Sequence, residues 1–277
     1  MDTSIAFIGG GNMASCIFGS IAGRMPSLPI TVSDPHADKR ERFAALGAMV
    51  TADNVQAFAS ASVIFLAVKP QALPGVLREL AESHADFSER VLISMAAGCS
   101  CDSIISYTGP ARLIRIMPNT PARISQGVMA MYCTPQVSPD SRRLARELLE
   151  PLGLLVEVDS EELLNVIGVV GGCAPAFVYR FMEAMIAASV CRGLTEQDAR
   201  GISQQVVLGA AGMALRSPDQ TLAALREAVT SRGGTTYEGL KVMTELDFDG
   251  LIEQTVAASM RRTRELEQQF AAEAGRP

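Results

Sequence analysis

The chain contains no tryptophan, and aromatic residues make up only 5% of its 277 residues. Stacking platforms for bases are therefore missing, which argues against single-stranded nucleic acid as a partner. No block rich in Lys and Arg occurs and the net charge is −6, so neither duplex nucleic acid nor an anionic membrane surface is an expected partner. The only two histidines, His36 and His84, fall outside every candidate site loop and are expected to be solvated. That argues against a Ser–His hydrolase and against a His-based zinc site. The six cysteines (Cys16, Cys99, Cys101, Cys133, Cys173, Cys191) include no Cys-x-x-Cys and no neighbouring His. They read as reduced, small apolar residues of a cytoplasmic protein, and no metal site is expected. Met1-Asp2-Thr3-Ser4 carries no basic region, and the apolar run after it stops at glycines, so it reads as the approach to a strand rather than a signal peptide. No segment is expected to reach the length of a bilayer span.

With 48% hydrophobic and 19% charged residues, the composition is that of a globular protein with ample core, and the length favours two domains. The stretch around which the chain is organised comes first: Ile5-Ala6-Phe7-Ile8-Gly9-Gly10-Gly11-Asn12-Met13-Ala14. Four apolar residues predict a buried strand, and Asn12 opens a helix running to about Arg24. The turn between them fits Gly-x-Gly-x-x-Ala. Gly9 allows the tight turn, Gly11 lets backbone approach a pyrophosphate, and the small Ala14 lets the helix pack on the strand. The helix N-terminus then offers unpaired N–H groups to the phosphates.

The next strand, Ile30 to Ser33, ends at Asp34, about twenty residues past the glycines, where an acid commonly meets the adenosine ribose. Asp34 suits ribose hydroxyls and repels a 2′-phosphate. Lys39, Arg40 and Arg42 follow it and suit such a phosphate, so NADH and NADPH both stay open. A helix near Asp38 to Leu46 and a strand at Ala48 to Val50 precede the apolar run Ser62 to Val68, which reads as a central parallel strand. It ends in Lys69-Pro70, directing Lys69 toward the crevice at the carboxyl ends of the strands. After a helix from Gln71 to His84, strand Val91 to Met95 leads to Ala96-Ala97-Gly98, small enough for a flat ring to lie against backbone. Strand Arg112 to Ile116 then ends in Met117-Pro118-Asn119-Thr120-Pro121, a rigid loop at the same sheet edge. Strands at Val128 to Tyr132 and Leu154 to Val158, around a helix from Ser138 to Glu150, extend a doubly wound sheet.

From about Ser160 the strand patterns stop. Asn165 to Tyr179 and Ile202 to Leu215 carry no charge and are rich in Gly, Ala and Val. Such helices must be covered nearly all round, so they are expected in a subunit interface. Thr195-Glu196-Gln197-Asp198 is a capping-box pattern for the helix ending at Arg216. A helix from about Leu222 to Val229 gives way to Thr230-Ser231-Arg232-Gly233-Gly234-Thr235-Thr236 before helix resumes near Tyr237. Two glycines, flanking hydroxyls and a following helix N-terminus form a nest suited to a small carboxylate.

These stretches together resemble the pyrroline-5-carboxylate reductases, the last enzymes of proline synthesis. The matching residues are Phe7 to Met13, Ala67 to Pro70, Ser94 to Gly98, Met117 to Pro121 and Thr230 to Thr236, in the family's order. The resemblance implies an α/β fold: an N-terminal Rossmann-type doubly wound sheet, residues 1–160, followed by an all-α dimerisation and substrate-binding domain, residues 161–277. It implies NADPH or NADH as hydride donor, no metal, and an interwoven homodimer, with five dimers in a decamer. The expected cofactor-binding set is Ile8, Gly9, Gly10, Gly11, Asn12, Met13, Asp34, Asn54, Ala67, Val68, Lys69, Pro70, Ala96 and Ala97, with the nicotinamide near Lys69, Ala96 and Ala97. Ser231, Gly233, Gly234, Thr235 and Thr236 are expected to hold the substrate carboxylate, contributed across the dimer interface. Thr236, Ser231 and Lys69 are expected at the reacting centre, the Thr236 hydroxyl near the ring nitrogen.

Two departures accompany the resemblance. Where the family has Ser-Gly-Ser-Gly-Pro-Ala-Tyr, this chain has Gly171-Gly172-Cys173-Ala174-Pro175-Ala176-Phe177, losing the two serine hydroxyls, and Arg232 stands where Pro is common. A related imine reductase or β-hydroxyacid dehydrogenase is the competing enzyme reading. The latter normally places a Lys on the first interdomain helix, and Asn165 to Tyr179 has none. A dinucleotide-binding regulator without turnover is the non-enzymatic alternative.

Overall fold

A computed structural model describes residues 3–274. Strands and helices alternate from the start: β1 (Ile5–Ile8), α1 (Asn12–Arg24), β2 (Ile30–Ser33), α2 (Ala37–Ala44), β3 (Met49–Thr51), α3 (Asn54–Ala59) and β4 (Val63–Leu66). They continue through α4 (Leu73–Glu82), β5 (Val91–Ser94), α5 (Cys101–Thr108), β6 (Arg112–Met117), β7 (Gly127–Cys133), α6 (Pro139–Leu149) and β8 (Gly153–Val158). Thereafter the chain is helical. α7 (Glu161–Ile167) passes through a π-helical segment (Gly168–Cys173) into α8 (Ala174–Val190), followed by α9 (Glu196–Arg216), α10 (Leu222–Ala228), α11 (Thr235–Glu245) and α12 (Phe248–Ala274).

The strands form one sheet in the order β3-β2-β1-β4-β5-β6-β7-β8. β1 to β6 are all parallel, β7 runs antiparallel to β6, and β8 is parallel to β7. The first six follow the doubly wound dinucleotide-binding order, whose switch point lies between β1 and β4. The two-residue period of β1 divides the core. Ile5 and Phe7 join Ile17, Phe18, Ile21 and Phe43 on one face, while Ala6 and Ile8 join Leu73, Leu77 and Leu80 on the other. Phe7 stacks on Phe65 with centroids 4.6 Å apart. A fully buried side chain of this size contributes roughly 1.5–3 kcal/mol.

α3 and α5, of six and eight residues, were not expected from the sequence. Their caps carried the available signal: Asp53 accepts from the Val55 and Gln56 amides, and Ser100 from the Ser103 amide. The rigid loop expected at Met117 to Pro121 winds into a 3₁₀ turn over Thr120–Ile124. The six cysteines are free thiols. Cys99 and Cys101 are buried, whereas Cys173 and Cys191 are exposed rather than packed as small apolar residues.

The chain divides into two compact units, one made of Met1–Pro175 with Ser259–Pro277, the other of Ala176–Ala258. In the second unit only Ala199 and Ser203 are buried. α9 is capped by Thr195, whose hydroxyl accepts from the Asp198 amide and donates to the Asp198 carboxylate. Its apolar residues Ile202, Val206, Leu208 and Met213 are all more than half exposed. A helix whose uncharged run from Ile202 to Leu215 is left this bare within one chain needs cover that the chain itself does not provide.

The expectation that no segment reaches bilayer-spanning length is corrected. Helix runs from Glu161 to Val190 and is long and apolar enough, by length and composition, to cross a membrane. The reading from sequence ended the uncharged run at Tyr179 and did not foresee that the π-helical segment joins α7 to α8 without a break.

Candidate active site

The glycine turn sits at the carboxyl end of β1 and is stitched to both neighbouring strands. Gly9 N–H donates to Ser33 O at 2.8 Å, and Ala67 N–H donates to Ile8 O at 2.8 Å. Gly9 has φ +103°, and a Cβ there would lie 2.7 Å from Ala67 O, so the turn cannot accept a side chain. Gly10 is confined by Phe43 and by Asp34. Gly11 differs: a Cβ on it would meet only Ala67 O, at 4.0 Å. It faces open space at the N-terminus of α1, where it is the N-cap and carries no side-chain cap. A cradle that is tight on the protein side and open on the other suits a pyrophosphate, with the first amides of α1 aimed at it.

Asp34 lies at the end of β2 and is only 4% exposed. Its Oδ2 accepts from Gly10 N–H at 2.9 Å and from Lys39 Nζ at 3.2 Å. Its Oδ1 accepts from His36 N–H at 3.0 Å and lies 3.1 Å from His36 Nδ1. The carboxylate thus turns inward to hold the glycine turn, a job the sequence reading missed. His36, expected to be merely solvated, is exposed yet contacts this carboxylate. Burial alone would raise the Asp34 pKa, but the amides of His36 and Gly10 and the Lys39 ammonium outweigh it and hold the group below its ordinary value. A depressed folded-state pKa stabilises the protein above the unfolded value of about 4, and the gain is lost as pH falls through the folded one. Melting curves are therefore expected to lose an acid-sensitive component below about pH 4, and Asp34→Asn should flatten that part of the profile relative to the parent.

Ser33 Oγ donates to Asn54 Oδ1 at 2.8 Å, and Asn54 Nδ2 donates to Glu79 Oε2 at 2.8 Å, fixing Asn54 beside the end of β2. Ala67, Val68 and Pro70 are half-buried at the carboxyl end of β4, with Lys69 exposed among them. Ala96 is buried and Ala97 exposed after β5. Ile8, Gly9, Gly10, Gly11, Asn12, Met13, Asp34, Asn54, the Ala67 to Pro70 segment and Ala96–Ala97 therefore gather along one edge of one sheet.

Asn119, flanked by prolines, is buried. Its Nδ2 donates to Gly171 O at 3.0 Å and its Oδ1 accepts from Val128 N–H at 2.9 Å. It ties β7 to the π-helical segment, where shifted hydrogen bonding leaves a carbonyl free. A Cβ on Gly171 would approach Val128 to 3.0 Å. The missing hydroxyl at this departure from the family pattern thus coincides with close packing, while Cys173 stays exposed.

The second cluster lies in the other unit. Gly233 has φ +70°, Gly234 N–H donates to Ser231 O at 3.0 Å, and Gly234 is the N-cap of α11 without a side-chain cap. Side chains cap α3, α5, α6, α7, α9 and α10. α1 and α11 both start on glycine instead, which caps nearly as well and leaves the first amides open to a ligand. Ser231, Gly233, Thr235 and Thr236 are exposed and Gly234 is half-buried. A groove of about 750 Å³ opens beside the loop; Arg226, Thr230, Tyr237 and Lys241 are among its lining residues, and Ser231 to Thr236 are not.

Comparison with known proteins gives two family matches. The family described as pyrroline-5-carboxylate reductase dimerisation matches residues 161–266, and the one described as NADP oxidoreductase coenzyme F420-dependent matches residues 4–98. The pyrroline-5-carboxylate reductase of Pasteurella multocida is 37% identical, covering 96% of this chain and 98% of its own. That of Haemophilus influenzae is 38% identical with the same coverage. The solved structure of a pyrroline-5-carboxylate reductase from Coxiella burnetii is similar with a TM-score of 0.87 and 34% identity, over 96% of this chain and 99% of that one. At that identity over nearly its whole length, the chain belongs to the pyrroline-5-carboxylate reductase family.

Proposed function

We propose that the protein reduces 1-pyrroline-5-carboxylate to L-proline with NADPH or NADH, the last step of proline biosynthesis. The observation that carries this reading is the pair of glycine-started helices, α1 behind Gly9–Gly11 and α11 behind Gly233–Gly234, each leaving its first amides open. Pyrophosphate and substrate carboxylate are the two anions the reaction brings together.

Gly9, Gly10, Gly11, Asn12 and Met13 would hold the pyrophosphate, with Ile8 beneath them. Asp34 and Asn54 would border the adenosine end, and Ala67, Val68, Lys69, Pro70, Ala96 and Ala97 the nicotinamide. When bound, the reduced nicotinamide supplies a hydride to the carbon of the substrate C=N bond. The amides of α11 and the hydroxyls of Ser231 and Thr235 hold the carboxylate, Gly233 and Gly234 giving it access to backbone. The Thr236 oxygen accepts from the protonated ring nitrogen, which keeps its proton as the imine becomes an amine. A protonated imine is already electrophilic, so the protein acts by alignment and exclusion of water rather than by strong acid catalysis.

The exposed loop at Ser231 to Thr236 needs a cover to exclude water, and the bare faces of α8 and α9 need a partner. An interwoven homodimer meets both needs, one protomer's loop completing its partner's cofactor edge; five such dimers form a decamer. The apolar Glu161 to Val190 helix then lies in that interface rather than in a membrane, and the protein works in the cytoplasm. Residues 1–160 act as the dinucleotide-binding domain and 161–277 as the dimerisation and substrate domain, a division supported by the family match that starts at residue 161.

The inward-facing Asp34 favours NADPH. Its oxygens are engaged by Gly10, His36 and Lys39, so the turn presents cationic groups rather than a free carboxylate. Loss of NADPH absorbance on adding pyrroline-5-carboxylate is the test of the reaction; tight binding without oxidation would refute it. In the same assay with both cofactors, Lys39→Ala is expected to lower the NADPH-to-NADH rate ratio about tenfold, the scale of one charged hydrogen bond. An unchanged ratio would remove this turn as the determinant.

A further inference from the structure

The largest fully buried side chain is a cation, Arg115 on β6, only 1% exposed. Its Nη1 donates to Glu161 Oε1 and lies 3.9 Å from Glu267 Oε1, while Nη2 is buried with no partner among the described residues. Burying an arginine with one nitrogen unsatisfied is a poor way to stabilise a core, and apolar residues of similar volume often serve better. What the charge does locally is the better guide. Glu161 Oε1 also accepts from Cys101 N–H at 2.9 Å, the first amide of α5. Glu267 Oε1 accepts from Asn165 Nδ2 at 2.8 Å. Beside it, a Cβ on Gly98, which has φ +72°, would lie 2.6 Å from Leu266 Cβ. Phe270, one turn further along α12, is buried and faces Tyr107 of α5 with ring centroids 6.5 Å apart.

The turn from Ala96 to Cys101 is therefore held on two sides: by the carboxylate of Glu161 on its last amide, and by the end of α12 against Gly98. The thiols within it are structural. Burial pushes Cys99 up to about 12 and raises Cys101 as well, so neither offers a thiolate.

We propose that Glu161, anchored by buried Arg115, is a positioning residue: by fixing the Cys101 amide it sets the Ala96–Ala97 backbone against the nicotinamide end of the cofactor. This rests on the reading that Ala96 and Ala97 border the nicotinamide. Arg115 pairs in register with Ser94, the last residue of β5, so the anchor sits two residues before Ala96. In this reading Glu161 is a positioning residue because its contacts are with Arg115 and the Cys101 amide, and its effect passes through the turn.

The test separates the two ends of the cofactor. Affinities for NADPH and for adenosine 2′,5′-bisphosphate, which lacks the nicotinamide, are measured by titration on the parent, Glu161→Asp and Glu161→Gln. Glu161→Asp keeps the carboxylate but draws it back by one methylene, so that a single oxygen no longer serves both Arg115 and the Cys101 amide. It should weaken NADPH binding about 5-fold, leave the bisphosphate within 2-fold, and speed hydrogen exchange of the Cys101 amide. Glu161→Gln gives up the ion pair but keeps an acceptor for the Cys101 amide, so its ratio of NADPH to bisphosphate affinity should stay within 2-fold of the parent's. Parallel loss of both ligands in Glu161→Asp would mark a general structural role and overturn the inference, as would an unchanged NADPH affinity. If the parent itself bound the bisphosphate as tightly as NADPH, the nicotinamide reading beneath the inference would fall instead.

Discussion

Gly11→Val is expected to weaken NADPH binding by at least 1,000-fold while leaving the fold intact, a loss of about 4 kcal/mol or more. The separation of the two effects follows from geometry. Gly11 has φ −74° and ψ 178°, extended backbone that valine adopts readily. A Cβ there meets nothing nearer than Ala67 O at 4.0 Å, so the branched side chain finds room in the free protein. In the proposed cofactor site, that room is where backbone and pyrophosphate approach each other. The folding cost is confined to exchanging a glycine N-cap for valine, about 1 kcal/mol. Calorimetric titration with NADPH beside a thermal melt reads both quantities. A melting temperature within a few degrees of the parent, with undiminished NADPH affinity, would refute the assignment of this turn.

Gly9 is the control for that argument. At φ +103°, and with a Cβ that would lie 2.7 Å from Ala67 O, it cannot take even a methyl group without moving the chain just past β4. A substitution there acts on the fold before it acts on the ligand. The sequence motif treats both positions as glycine; the coordinates separate Gly9, where a side chain clashes with backbone, from Gly11, where it meets open space.

What the sequence revealed tracks how local the determining physics is. β1 and β2 end where the apolar runs meet glycine or Asp-Pro, and α1 spans the expected Asn12 to Arg24, because strand burial and the glycine turn are written in adjacent residues. The second loop was legible for the same reason: its glycines and hydroxyls are contiguous. Asp34 was placed correctly at the end of β2, but its orientation was not, since that depends on Gly10 and Lys39, residues brought to it by the fold. The Arg115 to Glu161 pair spans 46 positions and Asn165 to Glu267 spans 102, so no motif could announce them. The π-helical segment escaped notice because a register shift inside a helix leaves the apolar pattern nearly unchanged.

Thr236→Ala is expected to lower kcat/KM for pyrroline-5-carboxylate roughly 10- to 100-fold, with NADPH affinity unchanged. Thr236 is the second residue of α11 and is exposed, so its truncation removes no core packing, and stability should hold within about 0.5 kcal/mol. The interaction proposed for it is a hydrogen bond to a protonated ring nitrogen, worth about 1.5–3 kcal/mol when one partner is charged. How the loss divides between kcat and KM identifies the role. A fall confined to kcat means that the bond tightens as the C=N carbon is attacked, whereas a rise confined to KM means that Thr236 grips the bound substrate and nothing more. Thr236→Ser, which restores the hydroxyl without the methyl group, should recover most of the activity. Steady-state kinetics of the two variants at saturating NADPH would decide this, and parent-like kcat and KM in the alanine variant would remove Thr236 from the reacting centre. The proposed grip on the carboxylate by the α11 amides and the Ser231 and Thr235 hydroxyls would stand, with the imine aligned by the nicotinamide side of the cleft.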